Sequence, residues 1–207
     1  MSPVSRTERE ERLGQHGVVA WLTGLSGSGK TTLALGAERA LHERGFLVRR
    51  LDGDDVRRGL NAGLGFSMED RRENIRRIAE AARLHAESGL VVLVAAISPT
   101  LEIRALARDV VGADDFVEVF VSCPLEVCEA RDVKGMYARA RAGELAQFTG
   151  VDSSYEPPQA PALEIHTDEL DVDASVQFLA DAVAARAAAG PSCGVAGLGD
   201  SAAPVRG

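Results

Sequence analysis

Gly24-Leu25-Ser26-Gly27-Ser28-Gly29-Lys30-Thr31-Thr32 follows an apolar run, Gly17-Val-Val-Ala-Trp-Leu-Thr23, and opens a helical pattern from Lys30 to about Arg44. The spacing Gly-x4-Gly-Lys-[Ser/Thr], set between a strand and a helix, is that of a phosphate-binding loop. Its glycines allow the backbone to wrap closely around an anion where a Cβ would block the path. The free N–H groups of the loop and of the helix N-terminus then point at the phosphates. In this reading Lys30 reaches the β- and γ-phosphates and the Thr31 hydroxyl ligates Mg²⁺. The loop implies a bound nucleotide but leaves open which reaction the phosphate undergoes.

The rest of the chain alternates short apolar runs with helical patterns. Strands are expected at Val18–Thr23, Phe46–Leu51, Leu90–Ala96, Phe116–Ser122 and Leu163–His166. Helices are expected from Lys30 to near Gly45, around Asp55–Asn61, from Ser67 to Ser88, at Leu101–Val111, from Pro124 to about Arg131, and at Ala174–Ala188. Gly45 suits the position just past a helix, Ser67 suits an N-cap, and Pro124 suits the first residue of a helix. The run Leu90–Ala96 is continuously apolar and β-branched, as a central parallel strand covered on both faces requires. Strands alternating with helices predict an open, mostly parallel α/β sheet. Residues 1–16 are polar and are expected to form a loose arm or a poorly packed helix. Residues 17–189 form the expected P-loop domain, with residues 132–161, which lack a strong period, as a mobile lid. Residues 190–207 are Gly/Ala/Ser/Pro-rich and are expected to be a disordered tail.

Composition excludes several function classes. At 207 residues the chain suits one domain with a substantial core. A net charge of −8 argues against a nucleic-acid polymer as partner, since that would require a basic face. No apolar run approaches the eighteen or so residues of a membrane span, and the charged N-terminus lacks the apolar core of a secretory signal. Cys123, Cys128 and Cys193 fit neither a disulfide framework nor a zinc site. A cytoplasmic location is expected.

Ligands of such sheets gather at the carboxyl ends of the strands, and the polar residues of this chain cluster there. The second expected strand runs into Leu51-Asp52-Gly53-Asp54-Asp55-Val56-Arg57, the third into Ile97-Ser98-Pro99 and the fourth into Ser122-Cys123-Pro124. Asp52 and Asp54 could serve Mg²⁺ and a substrate hydroxyl, which phosphoryl transfer requires. They could equally be turn residues, because Asp-Gly-Asp is also turn chemistry.

Further blocks carry a resemblance. Leu51-Asp-Gly-Asp54, Leu64-Gly-Phe-Ser-Met-Glu-Asp-Arg-Arg-Glu-Asn-Ile-Arg-Arg77, Ile97-Ser-Pro99, Phe120-Val-Ser-Cys-Pro-Leu-Glu-Val-Cys-Glu-Ala-Arg-Asp132, Lys134-Gly-Met-Tyr137 and Phe148-Thr-Gly150 follow the phosphate loop in order. Together they resemble the adenylylsulfate (APS) kinases across roughly residues 15 to 185. The resemblance implies a P-loop NTPase-type three-layer sandwich with a mostly parallel, about five-stranded sheet and a lid. It implies transfer of the ATP γ-phosphate to the 3′-hydroxyl of adenosine 5′-phosphosulfate, giving PAPS. It implies Asp54 as the base or hydroxyl-orienting group and, with Lys30 and Ser98, the catalytic set. Gly24 to Thr32 and Arg131 would bind ATP, and Thr31 and Asp52 would hold Mg²⁺. Arg57, Phe66, Arg71, Asn74, Ile97, Ser98, Lys134 and Phe148 would join Asp54 in binding the acceptor. Phe66 and Phe148 offer aromatic faces to adenine, and the arginines suit an anionic phosphosulfate. A homodimer, and an ATP sulfurylase as a separate chain, are the partners implied.

The chain also departs from the family pattern. Where the family commonly reads Ser-Pro-Tyr-Arg, this sequence has Ser98-Pro99-Thr100-Leu101, so an aromatic ring and a cation are missing from that edge. Arg104, three residues on, could reach back by one helical turn. A kinase for a different small hydroxyl compound, or a degenerate nucleotide-binding regulatory protein, remain as alternatives at this stage.

Overall fold

A computed structural model of the chain describes residues 2–145 and 147–189. Five strands form one all-parallel sheet: β1 (Val18–Thr23), β2 (Val48–Asp52), β3 (Val91–Ala95), β4 (Phe116–Ser122) and β5 (Leu163–His166), in the order β2-β3-β1-β4-β5. The helices are α1 (Arg6–Leu13), α2 (Lys30–Glu43), α3 (Gly53–Arg57), α4 (Met68–Glu87), α5 (Leu101–Val111), α6 (Leu125–Arg131), α7 (Met136–Arg141) and α8 (Val172–Ala189).

Successive residues of a strand point to opposite faces, and both faces of this sheet are covered. Val18, Ala20 and Leu22 of β1 join one core with Leu33, Leu41 and Leu179 from α2 and α8. Val19 and Trp21 join the other, with Ile75 and Ile78 of α4 and Ile103 of α5. That two-sided burial explains why β1 and β3 read as unbroken apolar runs. Gly36 lets α2 and α8 close on each other, since a Cβ there would lie 2.5 Å from Val176 Cγ2. A third, smaller cluster of Cys128, Tyr137, Ala140 and Phe148 lies under the segment after α6. No described helix is long and apolar enough to cross a membrane.

Several elements differ from their sequence-based bounds. Strand β2 begins at Val48 rather than Phe46, because the Phe46 N–H donates to Leu41 O and the Leu47 N–H to the Gln15 side chain. Helix α3 starts at Gly53 rather than near Asp55, because Asp52 Oδ1 accepts the Asp54 N–H and caps it. The segment after α6 holds a helix, α7, that periodicity did not reveal. Gly135 takes a left-handed turn and the Asp132 carboxylate accepts the Tyr137 and Ala138 N–H groups. Strand β3 lies between β1 and β2, so Asp54 comes from a strand that is not the neighbour of the one carrying the phosphate loop.

Of the two expectations for the N-terminal segment, the structure shows a helix rather than a loose arm. Ser5 and Glu8 form a reciprocal capping box on α1. The helix buries none of its own residues, and polar contacts hold it. Arg6 donates to both oxygens of Asp115 at 2.5 and 2.8 Å, and Glu10 accepts the Gly17 N–H. Gln15 is the buried pin: Nε2 donates to Gly89 O and Leu47 O, and Oε1 accepts the Leu47 N–H. Cys193 and the expected tail lie outside the described residues.

Replacing Gln15 by Leu would leave these backbone groups buried and unpaired, and should cost about 3 kcal/mol of stability. Urea unfolding measures this, and a loss below about 0.5 kcal/mol, the range of an ordinary surface change, would contradict it.

Candidate active site

The phosphate loop is shaped by close approach. Gly24, Gly27 and Gly29 have φ of 149°, 78° and 100°. A Cβ on Gly24 would lie 2.5 Å from Val121 O, and one on Gly27 2.8 Å from Cys128 O. Lys30 is buried at the start of α2, its Nζ donating to Gly24 O at 2.9 Å and Leu25 O at 2.5 Å. Burial pushes its pKa down to about 8, because a desolvated ammonium lacks a paired carboxylate to offset the loss of water. Tyr137 donates to Ser26 O, Thr167 to Ser28 O, and Arg131 to Thr167 O, so the loop is braced from three sides. Burial also pushes the Cys128 thiol up, and a neutral thiol therefore lies beneath the loop.

At the end of β2, Asp52 gathers the metal-ligand candidates. Thr31 Oγ1 donates to Asp52 Oδ2 at 2.8 Å, and Arg50 Nη1 lies 3.2 Å from the same oxygen. Asp54, on the first turn of α3, is exposed and pairs with Lys134 from the segment after α6. Among the described residues no group of three or more His, Cys, Asp or Glu could hold a metal. A hydroxyl beside one buried carboxylate is instead the sparse donor set that suits Mg²⁺, which takes its other ligands from phosphates and water.

The opposite side is lined by the turn before α4 and by α4 itself. Arg57 stacks over the Phe66 ring at 4.6 Å and Arg71 lies 5.9 Å from its centre. Burial lowers the pKa of both guanidinium groups, and for Arg71 the nearby Arg57 adds to the effect. Two cations held at one ring form an anion-seeking patch. Arg71 donates to Phe66 O, Thr149 Oγ1 and Gln147 O, which ties α4 to the far end of the segment after α7. Asn74, one helical turn on, accepts from Asn61 Nδ2 through Oδ1 at 2.9 Å. Phe148 meets Tyr137 edge-on, with ring centres 5.0 Å apart.

The edge after β3 completes the wall. Ser98 has φ of 47° and is 1% exposed. A non-glycine residue in the left-handed region costs about 1–3 kcal/mol and persists only where its surroundings hold it. Here the Trp21 indole N–H donates to Ser98 Oγ at 2.9 Å, and Arg104 Nη1 donates to Ser98 O at 2.8 Å. Ser98 is therefore fixed in the wall rather than presented as a free hydroxyl. Arg104 does reach back by one turn, but from behind the wall, so it puts no cation back into the cavity where Thr100-Leu101 lack one.

One cavity of about 600 Å³ brings these parts together. Ser26, Gly27, Gly29, Lys30, Thr31, Thr32 and Arg131 line it, as do Asp52, Asp54, Arg57, Phe66, Arg71, Asn74, Ile97, Ser98, Lys134 and Phe148. Gly24, Leu25 and Ser28 do not; they turn toward Lys30 and hold the loop. Sequence reasoning missed Thr149, Thr167 and Asn61, although Thr149 stood inside a quoted block. It also missed Trp21, whose one visible signal was a lone aromatic residue within an aliphatic strand.

A family model described as adenylylsulphate kinase matches residues 16–166. The adenylyl-sulfate kinase of Klebsiella pneumoniae (strain 342) is 57% identical over 177 residues, 86% of this chain and 88% of that protein. That of Bacteroides thetaiotaomicron is 54% identical over 180 residues, 87% of this chain and 90% of that protein. Among solved structures, the Mycobacterium tuberculosis APS kinase in complex with AMPPNP and APS is 53% identical with a TM-score of 0.77, covering 80% of this chain and 96% of that one.

The Lys30 environment makes a pH-dependent prediction. The ammonium is lost as pH rises through about 8, while bound phosphate favours the charged form. Affinity for a nucleoside triphosphate should therefore fall above pH 8, approaching tenfold per pH unit. In the free protein the buried charge destabilises the fold below about pH 8, and that cost is relieved between about 8 and the ordinary value of 10.5. Calorimetric titration from pH 6.5 to 9.5 measures the affinity, and a flat profile would contradict the assignment.

Proposed function

The chain belongs to the adenylylsulfate kinase family, and we propose that it transfers the ATP γ-phosphoryl group to the 3′-hydroxyl of APS, giving PAPS and ADP. The observation that carries this reading is the shared cavity. A phosphate loop at one end and the Arg57–Phe66–Arg71–Asn74 wall at the other flank Asp54. The three-layer sandwich and the phosphate loop make it a P-loop kinase. Phosphoryl transfer asks mainly for positioning and charge stabilisation, and the cavity supports both.

In this reading the loop N–H groups and Lys30 hold the donor's phosphates, with Arg131 beside them. Phe66 and Phe148 flank the acceptor's adenine, while Arg57, Arg71 and Lys134 face its anionic phosphosulfate. Asn74 and Ile97 bound the rest of the pocket. Asp54 accepts a hydrogen bond from the ribose 3′-hydroxyl. As the 3′-oxygen forms its bond to the γ-phosphorus, the bond from that phosphorus to the bridging oxygen of ADP breaks. The hydroxyl proton passes to the Asp54 carboxylate and then to water. Ser98 acts as wall, because direct transfer between the two substrates needs no enzyme-bound phosphate. Thr31 and Asp52 are the residues that would hold Mg²⁺, which when bound neutralises charge on the β- and γ-phosphates. A homodimer in the cytoplasm, supplied with APS by a separate ATP sulfurylase, completes the reading on the strength of the family resemblance.

Incubating the protein with MgATP and a panel of alcohols should give stoichiometric ADP and PAPS with APS alone. ADP formation with another alcohol, and none with APS, would replace the substrate assignment; nucleotide binding without turnover would favour a regulatory role. Asp54→Asn should lower kcat by about 10²-fold or more and leave ATP affinity within about threefold. Near-normal PAPS formation by that variant would remove Asp54 from its role.

A further inference from the structure

The strained turn at Ser98 is held by groups that lie behind the cavity. Arg104 is 3% exposed and donates to three separate segments: Nη1 to Ser98 O at 2.8 Å, Nε to Glu118 Oε1 at 2.9 Å, and Nη2 to Glu156 O at 2.6 Å. Its guanidinium carbon also lies 5.7 Å from the centre of the Tyr155 ring. Ser98 belongs to the acceptor edge, whereas Tyr155 and Glu156 lie in the segment between α7 and β5.

Two further hydrogen bonds tie the same two segments directly, and a relay through Thr23 of β1 links them again. The Glu156 N–H donates to Pro99 O at 2.8 Å, and Glu156 Oε2 accepts the Leu101 N–H at 2.7 Å. Thr23 Oγ1 donates to Ile97 O at 2.6 Å, and the Tyr155 hydroxyl in turn donates to Thr23 Oγ1 at 2.9 Å. Burial pushes Tyr155 up to about 12, so its hydroxyl keeps that proton. The Tyr155 ring stacks on Phe120 of β4, which fixes it to the sheet. Neither Arg104 nor Tyr155 lines the cavity.

A buried guanidinium is a poor way to gain stability, because its desolvation roughly cancels its attractions. What it supplies is direction: a planar fork can hold three acceptors at fixed angles, which an ammonium cannot. On the reading of APS as acceptor, the geometry points to Arg104 as a positioning residue that couples Tyr155–Glu156, in the segment between α7 and β5, to the acceptor edge at Ile97–Ser98. The position of that segment and the shape of the APS pocket are then set together. The donor's loop also has braces outside that segment, Thr167 and Arg131. Loss of Arg104 therefore acts mainly on the acceptor.

Steady-state PAPS formation, with APS and ATP varied separately, tests this on wild type, Arg104→Met, Arg104→Lys and Tyr155→Phe, each checked for fold by its thermal melt. Arg104→Met should raise KM for APS about tenfold or more, as a small misplacement of a reacting group does, with KM for ATP within about twofold. Arg104→Lys should fail to rescue. Tyr155→Phe, which removes one hydroxyl, should shift KM for APS in the same direction by about threefold, as loss of a single hydrogen bond does. Folded variants in which both KM values are unchanged, or move by equal factors, would overturn the inference. Should Arg104→Met not fold, Tyr155→Phe decides by the same criterion. A wild-type chain that makes no PAPS sinks the functional reading and this inference with it, whereas the variants can sink the inference alone.

Discussion

A buried ammonium held by carbonyls rather than by a carboxylate is the constraint around which the donor end of this molecule is arranged. Lys30 has lost water and gained only neutral acceptors, the carbonyls of Gly24 and Leu25. Its charge is therefore poorly compensated until an anion arrives. The loop glycines exist for the same purpose, since side chains at Gly24 and Gly27 would collide with Val121 O and Cys128 O. The order β2-β3-β1 then brings Asp52 to Thr31 from a strand that is not the neighbour of β1. One hydrogen bond thus links the donor end of the cavity to the strand that presents Asp54.

The acceptor end is held differently. Its buried guanidinium groups bridge distant segments: Arg71 reaches Phe66 O, Gln147 O and Thr149, and Arg104 reaches Ser98 O, Glu118 and Glu156 O. Such groups add little net stability; they fix where backbone segments lie. The left-handed Ser98 is the local cost of that arrangement, and Trp21, Thr23 and Arg104 offset it. Donor and acceptor ends are therefore held by different means, a lysine folded back on its own loop on one side and guanidinium groups that bridge distant segments on the other.

Much of this was legible in the sequence, for identifiable reasons. Strands β1, β4 and β5 and helix α5 have the bounds expected from their apolar runs and helical pattern. Asp52, Asp54, Arg57, Ile97 and Ser98, from the ends of the second and third expected strands, do line one cavity, because parallel strands deliver their carboxyl ends to one edge, whereas Ser122, Cys123 and Pro124 of the fourth do not. What could not be read depends on contacts between distant segments. The register of β2 is set by Gln15, some thirty positions earlier, and α1 is docked by Arg6 on Asp115. The intervening position of β3 is a matter of topology and leaves no local trace. The Ser98 conformation rests on Trp21 and Arg104; the spacing of Arg104 pointed back toward that edge, but not to its bonds with Glu118 and Glu156.

The central claim is that one cavity aligns an APS 3′-hydroxyl with Asp54 and with the γ-phosphate held by Lys30. A crystal structure of the protein with a non-hydrolysable ATP analogue and APS measures this most directly. The account predicts APS against Phe66 and Arg71, with its ribose 3′-oxygen within about 3 Å of an Asp54 carboxylate oxygen, as hydrogen-bonded proton transfer requires. APS bound elsewhere, or bound in the cavity with its 3′-oxygen turned away from Asp54, would contradict it.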